Sequence, residues 1–295
     1  TFRTGRRKRR RAPLGPTPSV EHMRILALLC LVLSVTAVPA QAAPIRCQTP
    51  AVSTFHTADT WYENLEFDGH TIWLSNLTGN AVEQYRLDGT LLQSIPLRAP
   101  GAIRKGPDGL LYVNFGNDNP ETRPQPSGVV RLTPKPEVFI GGDTLSSANG
   151  AEFDARGHLY VSDPFTGLYE FDRRGALVRH IDLAYPNGIV TIGTTVFTNI
   201  LIDPQSAIVR ITGNRQTRLE LGAPDKGLDD LAVGPDGKLY VTTYTSGELI
   251  KVDPWTGAHC TLLSGLKNPT AARFLPGTRT MFLTEASGSV LKVRL

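Results

Sequence analysis

An aromatic residue flanked by aliphatic ones recurs six times along this chain, and this repeat constrains the fold more than any other feature of the sequence. The intervals between successive aromatics run from 37 to 48 residues, with a mean near 42. The six residues are Trp73, Tyr112, Tyr160, Phe197, Tyr240 and Phe282. A short apolar run precedes each aromatic, and a turn with a second run of β-forming residues follows it. The sequence therefore predicts a series of similar all-β units.

A unit of about 42 residues with four short strands is typical of a β-propeller blade, which buries both of its faces against neighbouring blades. The stretch Gly227–Gly257 shows the plan most clearly. Its first apolar run ends at a Pro-Asp-Gly turn, an alternating run follows, and Ser246-Gly247 reverses the chain into a third strand. We predict an all-β fold, a six-bladed β-propeller with four-stranded blades.

Closure of the ring is also predicted by the repeat. Units one to five each have a fourth, outer β-forming run, whereas the sixth unit ends at Leu295 after its third. The run 51–56 is predicted to supply the missing strand. An N-terminal strand would then close the last blade and leave no sheet edge unpaired.

Three segments of different character divide the chain. Residues 1–22 are a basic upstream segment or an extended n-region, and residues 23–42 resemble a secretory signal peptide. The apolar run 25–38 is shorter than the ~20 residues that a membrane span needs. Residues 43–295 are predicted to form the propeller, and the protein is expected to be secreted or periplasmic.

The formal charge of +4 comes from the leader. Residues 1–42 hold eight Lys or Arg and one Glu, which leaves 23 basic and 26 acidic residues in the remainder. A nearly neutral, slightly acidic mature chain gives no electrostatic reason to expect a nucleic acid or an anionic membrane as a partner. We expect a monomer that acts on a small molecule and has no stable membrane anchor in its mature form.

Two cysteines, Cys47 and Cys260, remain once Cys30 is assigned to the leader. In an exported protein such a pair is expected to form a disulfide. The predicted ring closure brings the two residues to the outer strands of neighbouring blades.

Polar residues occur just before the predicted inner strands, which line the central channel of a propeller. In blade order these positions hold Glu63, Gly101, Asn149, Asn187, Asp229 and Asn268. Carboxylate and amide oxygens are the ligands that Ca²⁺ prefers. Singly, the Asn-Gly pairs and Asp229 are also ordinary turn residues. Their common register across blades favours one shared site at the mouth of the channel.

These motifs resemble the senescence-marker-protein/gluconolactonase family of regucalcin-like sugar lactonases over about 63–295. The matching segments are Glu-Asn-Leu-Glu-Phe-Asp from Glu63, Tyr-Pro-Asn-Gly-Ile around Asn187, and Leu-Asp-Asp-Leu-Ala-Val around Asp229. The resemblance implies a six-bladed propeller with one divalent ion bound by Glu63, Asn187 and Asp229. It also implies a catalytic role for Asp229 and a substrate-binding role for Asn149.

The chain departs from the family pattern at several sugar-binding positions. Ser147 stands where family lactonases often have an Arg, Gly150 where they have an Asp, and Asp230 where they have a Gly. Arg104 on the first strand of blade two is a candidate replacement for the missing Arg. The candidate metal ligands therefore match the family pattern better than the residues at the sugar-binding positions do.

These observations predict an exported, metal-dependent hydrolase of a lactone or related ester. The expected cofactor is one divalent ion, calcium first, with zinc or manganese as alternatives. Two other hypotheses remain: a non-catalytic propeller that binds a ligand or protein, and an enzyme similar to strictosidine synthase. Retention of both Glu63 and Asp229 argues against the latter.

Overall fold

The computed structural model describes residues 45–119, 121, 125–133 and 135–295, and within these ranges it consists of 24 β-strands in six four-stranded antiparallel sheets. The sheets form a six-bladed β-propeller, as the repeat predicts. The predicted basic segment 1–22 and signal peptide 23–42 lie outside the described residues, and the boundary of the propeller at residue 43 stays a prediction. In the described part of the chain, no helix is long and apolar enough to cross a membrane.

The strands of the first three blades follow β1 (Ala51–Thr57) in the chain, and each blade runs from its inner to its outer strand. Blade one has β2 (Tyr62–Asp68), β3 (Thr71–Asn76), β4 (Ala81–Arg86) and β5 (Leu91–Pro96). Blade two has β6 (Ile103–Lys105), β7 (Leu111–Phe115), β8 (Gly128–Thr133) and β9 (Lys135–Ile140). Blade three has β10 (Ala151–Phe153), β11 (Leu159–Asp163), β12 (Gly167–Phe171) and β13 (Leu177–Ile181).

The remaining blades repeat this order. Blade four has β14 (Pro186–Ile192), β15 (Thr195–Ile200), β16 (Ala207–Thr212) and β17 (Arg215–Glu220). Blade five has β18 (Leu228–Val233), β19 (Leu239–Thr243), β20 (Glu248–Val252) and β21 (His259–Ser264). Blade six has β22 (Pro269–Phe274), β23 (Thr280–Glu285) and β24 (Ser289–Arg294), with β1 as its outer strand.

Ring closure joins the two ends of the propeller. Strand β1 pairs antiparallel with β24, from Ala51 opposite Arg294 to Thr57 opposite Ser289. The predicted closing strand is therefore confirmed. Cys47 and Cys260 form a disulfide with a Cα–Cα distance of 5.9 Å, which ties the segment before β1 to the outer strand of blade five.

The recurring aromatics are buried where blades meet. Phe282 of blade six packs edge-on against Phe67 of blade one, with ring centroids 5.3 Å apart. Tyr112 and Tyr240 make the same contact, at 5.0 and 4.9 Å, with a phenylalanine on the inner strand of the next blade. Such pairs contribute about 0.5–1.5 kcal/mol beyond the burial of their surface. The repeat of aromatics is thus a repeat of blade-to-blade contacts.

Two blades share the sequence Gly-Pro-Asp-Gly-x-Leu-Tyr-Val, which fixes the turn between the first and second strands. In blade five, Asp236 accepts hydrogen bonds from the backbone N–H of Lys238 and from the hydroxyl of Tyr240. Gly237 has φ +69°, a conformation in which side chains are rare. The aspartate therefore links the turn to the buried aromatic.

Candidate active site

Three of the proposed site residues lie at irregular positions on inner strands. The register shifts between Tyr62 and Asn64 in β2, between Pro186 and Ile189 in β14, and between Leu228 and Leu231 in β18. Glu63, Asn187 and Asp229 lie within these shifts. A bulge leaves a residue out of the regular ladder and redirects its side chain, which is why bulges are common beside active sites.

The same three side chains, together with Asn149, line one cavity of about 390 Å³. Asn149 precedes β10, so its position just ahead of an inner strand is as the sequence indicates. Glu63, Asn187 and Asp229 differ slightly from that expectation, because each is already a strand residue. The structure thus brings all four predicted site residues together.

Glu63 is buried and held by two donors. The indole Nε1 of Trp61 donates to Oε2 of Glu63 at 2.7 Å, and the Asn117 amide donates to Oε1 at 3.2 Å. Burial raises the pKa of Glu63 to about 7, while the two hydrogen bonds oppose this rise. The carboxylate is therefore fixed in position and weakly acidic.

Asp229 lies beside a second ligand candidate. The side-chain amide of Asn187 donates to Oδ1 of Asp229 at 3.0 Å. Burial raises the pKa of Asp229 well above its usual value, and the negative charges of Glu63 and Asp230 raise it further. Two buried carboxylates with raised pKa values in one cavity would be stabilised in their ionised forms by a cation bound between them.

No side-chain cation supplies that charge within the described ranges. The nearby guanidinium groups of Arg104 and Arg273 pair with Glu152 and Asp230 instead. The described residues also contain no group of three or more His, Cys, Asp or Glu side chains arranged to hold a metal. The candidate set has two carboxylates and one amide oxygen, which fits a hard cation that completes its coordination with water.

A second polar network occupies the next residues along the inner strands. Asn64 donates to Oδ2 of Asp230 at 3.1 Å and accepts from Nη1 of Arg104 at 2.7 Å. Arg104 is only 1% exposed and does not line the cavity. The interpretation of Arg104 as a substrate-binding replacement for the family arginine is therefore not supported, because its guanidinium is directed to Asn64, Asp230 and Glu152.

Gly188 allows these two networks to approach each other. A Cβ on Gly188 would lie 2.5 Å from Cα of Asp230 and 2.6 Å from its Oδ1. Real Cβ atoms do not come so close to backbone atoms. The close approach of Asp230, on the next blade, therefore leaves room only for a glycine at position 188.

Two of the six channel positions do not contribute a side chain to the cavity. Asn268 donates instead to the carbonyl of Tyr244 at 2.9 Å, and Gly101 has no side chain to contribute. Sequence reasoning also missed Trp61, Asn117 and Tyr244, which line the cavity. Trp61 lies two residues before Glu63, and that proximity was the available signal for it.

Comparison with known proteins gives the fold alone. No family model matches the sequence, and no curated protein matches it either. A gluconolactonase from Xanthomonas campestris is similar with TM-score 0.71 and 17% identity, covering 87% of this chain and 97% of that one. Virginiamycin B lyase from Staphylococcus aureus gives 0.63 and 13%, covering 84% and 99%. A glucose dehydrogenase gives 0.68 and 15%, covering 83% and 100%.

These three propellers bear the names of three different activities, and all of them are below 20% identical to this chain. One fold with several chemistries means that function must be argued from the site. The membership of the regucalcin-like family that the motifs indicate stays a prediction.

Proposed function

We propose that this protein hydrolyses a lactone or related ester in the cavity formed by Glu63, Asn149, Asn187 and Asp229, with one divalent ion as cofactor. The observation that carries the proposal is the pair of buried carboxylates, Glu63 and Asp229, whose pKa values are raised and which have no cationic partner in the described structure. A gluconolactonase among the similar propellers supports the reaction class.

The residues that would hold the ion are Glu63, Asn187 and Asp229. A bound divalent ion supplies Lewis-acid polarisation of an ester carbonyl and stabilises negative charge that develops on its oxygen. Calcium suits the all-oxygen set best, and zinc or manganese are the alternatives.

Side chains of the protein carry out the proton transfer and orient the substrate. Asp229 takes a proton from a water molecule as that water adds to the carbonyl carbon. The bond from this carbon to the ring oxygen then breaks, and the proton passes to the leaving alkoxide, which gives a hydroxycarboxylic acid. A divalent cation beside Asp229 would keep this buried carboxylate ionised, which is the form that accepts the proton. Trp61 and Asn117 fix Glu63, and Asn149 is placed to orient the substrate.

We further infer that the protein is exported and acts outside the cytoplasm. The apolar run 25–38 with its small-residue cleavage motif supports export. The disulfide between Cys47 and Cys260 supports an oxidising compartment, since disulfides persist there and are rare in the cytosol.

The test is an assay of the purified protein on a panel of lactones and aryl esters with Ca²⁺, Mn²⁺ or Zn²⁺, and again with a chelator. We expect turnover that chelation abolishes, and a loss of about 10²–10⁴-fold in kcat for Asp229→Asn. Glu220→Gln, on the outer strand β17 and more than half exposed, is the control and should keep full activity. Turnover that survives chelation overturns the metal-dependent reaction. Calcium binding without any turnover favours the non-catalytic binding propeller.

A further inference from the structure

Part of the cavity lining is apolar. It is formed by Trp61, Leu77, Pro164, Phe165, Leu201 and Tyr244. These residues come from the loops of blades one, three, four and five, so the apolar surface extends around much of the mouth. A cavity of about 390 Å³ is in the range of ~300–1,000 Å³ that sites for organic ligands occupy. The wall can therefore accept a ligand group much larger than an ester alone.

A stacked pair of aromatic rings forms part of this wall. The rings of Trp61 and Tyr244 lie 5.6 Å apart and are inclined by only 18°. The indole N–H, the one polar atom of the Trp61 side chain, is already used in the hydrogen bond to Glu63. Each ring turns one face to the other, so the ring surface that remains, apart from the Tyr244 hydroxyl, is apolar and lies beside the proposed reaction centre.

The apolar surface continues onto the rim. Phe165 is 46% exposed, Tyr185 is 41% exposed and Ile202 is 57% exposed. Tyr185 precedes Asn187 in the chain, and its carbonyl accepts from the backbone N–H of Leu201, so it lies against a residue of the wall. Most other large exposed hydrophobic residues lie on outer strands instead: Val52, Leu91, Leu92, Val138, Leu177 and Val178. Exposed apolar side chains gathered at the mouth of a cavity indicate a binding surface.

Several polar groups of the cavity are already paired. Asn187 donates to Asp229, and Asn117 donates to Glu63. Asp118 is paired with Arg98. A ligand hydroxyl placed against the apolar wall would lose its hydrogen bonds to water without replacement, and that loss is costly.

From these contacts we infer that the cavity selects lactones carrying an alkyl or aryl substituent over polyhydroxylated lactones. The ester group lies at Glu63 and Asp229, and the substituent packs on Trp61, Tyr244 and Phe165. The reaction in this inference rests on the proposed function. The apolar subsite concerns binding alone, and it is tested separately.

The first measurement compares kcat/KM for δ-decalactone and dihydrocoumarin with that for glucono-1,5-lactone, in the presence of calcium. We expect a preference of tenfold or more for the two apolar substrates, since a single methylene group in a hydrophobic pocket changes kcat/KM by about 10–200-fold. Phe165→Ser should lower this preference, whereas Leu177→Ala, an equally exposed residue on the outer strand β13, should leave it unchanged.

The second measurement separates binding from catalysis. Calorimetry records binding of the pentyl-substituted lactam that corresponds to δ-decalactone, and of the unsubstituted lactam, to the wild type and to Phe165→Ser. Tighter binding of the substituted lactam, weakened by the substitution, supports the subsite even if no lactone is hydrolysed. Faster hydrolysis of glucono-1,5-lactone, or equal binding of the two lactams, overturns the inference while leaving lactone hydrolysis itself intact.

Discussion

The indole Nε1 of Trp61 donates a 2.7 Å hydrogen bond to Oε2 of Glu63. The same indole stacks on Tyr244, so one side chain both fixes a candidate ligand and forms the apolar wall of the cavity. Trp61 thus couples the charge of Glu63 to the apolar wall of the cavity.

Trp61→Phe tests this coupling, because it removes the donor and keeps an aromatic ring. The hydrogen bond favours the ionised form of Glu63, so its loss should raise the pKa of Glu63 further. We expect calcium affinity at pH 6 to fall by about ten- to hundredfold, in line with a hydrogen bond to a charged group. The loss of calcium affinity relative to the wild type should be smaller at pH 8, where the Glu63 carboxylate is more fully ionised. Calorimetric titration at both pH values measures it.

Trp255→Phe is the matched control for this substitution. Trp255 is 53% exposed in the turn between β20 and β21 and does not line the cavity. Calcium affinity should not change in this variant. An equal loss in both variants, or a loss in Trp61→Phe that does not depend on pH, contradicts the coupling.

Two consecutive basic residues should differ sharply in their contribution to stability. Arg104 is buried against Asn64, Asp230 and Glu152, whereas Lys105 pairs with Asp68 at the surface with both side chains more than 40% exposed. Arg104→Met removes the guanidinium that contacts both Asp230 and Glu152 and leaves Asp230 with Arg273 alone, so it should lower the free energy of unfolding by about 3 kcal/mol. Lys105→Met should leave it nearly unchanged, because water and salt screen an exposed ion pair. Guanidinium denaturation of both variants measures the difference, and similar values would count against the buried network.

Glu152 should make stability depend on pH. Burial raises its pKa from 4.5 to about 7; Arg104 opposes this rise, and Glu66 and Asp230 add to it. The folded state therefore holds the proton more tightly than the unfolded state does. This contribution to stability is complete below about pH 4.5 and is lost as the pH rises through 7.

Glu152→Gln should therefore flatten the fall in unfolding free energy between pH 4.5 and 7, with chelator present throughout. The largest change that one group can make is about 1.4 kcal/mol per pH unit. Glu137→Gln is the control, since the pKa of Glu137 is lowered by Arg131 and its titration lies below this window. An unchanged slope in Glu152→Gln would exclude a raised pKa at this residue.

The disulfide should stabilise the folded protein. It closes a loop of 213 residues, so its main effect is to restrict the unfolded chain. We expect the double variant Cys47→Ser with Cys260→Ser to lose about 2–4 kcal/mol of unfolding free energy. Thermal unfolding with and without a reductant measures it. The reductant should lower the Tm of the wild type but not that of the variant, and equal Tm values for oxidised wild type and variant would refute the prediction.

The fold could be predicted from the sequence because its determinants repeat. The aromatic of each unit serves the same blade-to-blade contact, as Tyr112 and Tyr240 show, so six weak local patterns support one another. Strand ends could not be predicted to the residue: the continuous apolar run of this blade is 231–233, whereas β18 begins at Leu228. The reason is that Asp229 and Asp230, at the bulge, separate Leu228 from the apolar run by which the strand is identified in the sequence.

The candidate site could be predicted only in part. Glu63, Asn149, Asn187 and Asp229 share a register across blades, and a register is visible in a sequence. Tyr244 lies four residues after the repeated aromatic of its blade, as Leu77 and Leu201 do, but these residues share no chemistry that would mark the position as part of a site. Arg104 was placed on the correct strand, but the choice of Asp230 as its partner is a tertiary contact that no spacing specifies.

The pairing of β1 with β24 has a consequence for how the chain reaches its native state. Strand β24 follows every other strand, so the first and last strands of the propeller cannot meet until the whole repeat has been synthesised. Contacts between such distant segments slow folding, because the entropy of a long loop is lost before the contact forms. Until then, blade six has an exposed edge at β24 that can pair with another chain. Aggregation of nascent or refolding protein is therefore expected to begin at this seam, and circular permutants that cut a different blade connection should relocate it.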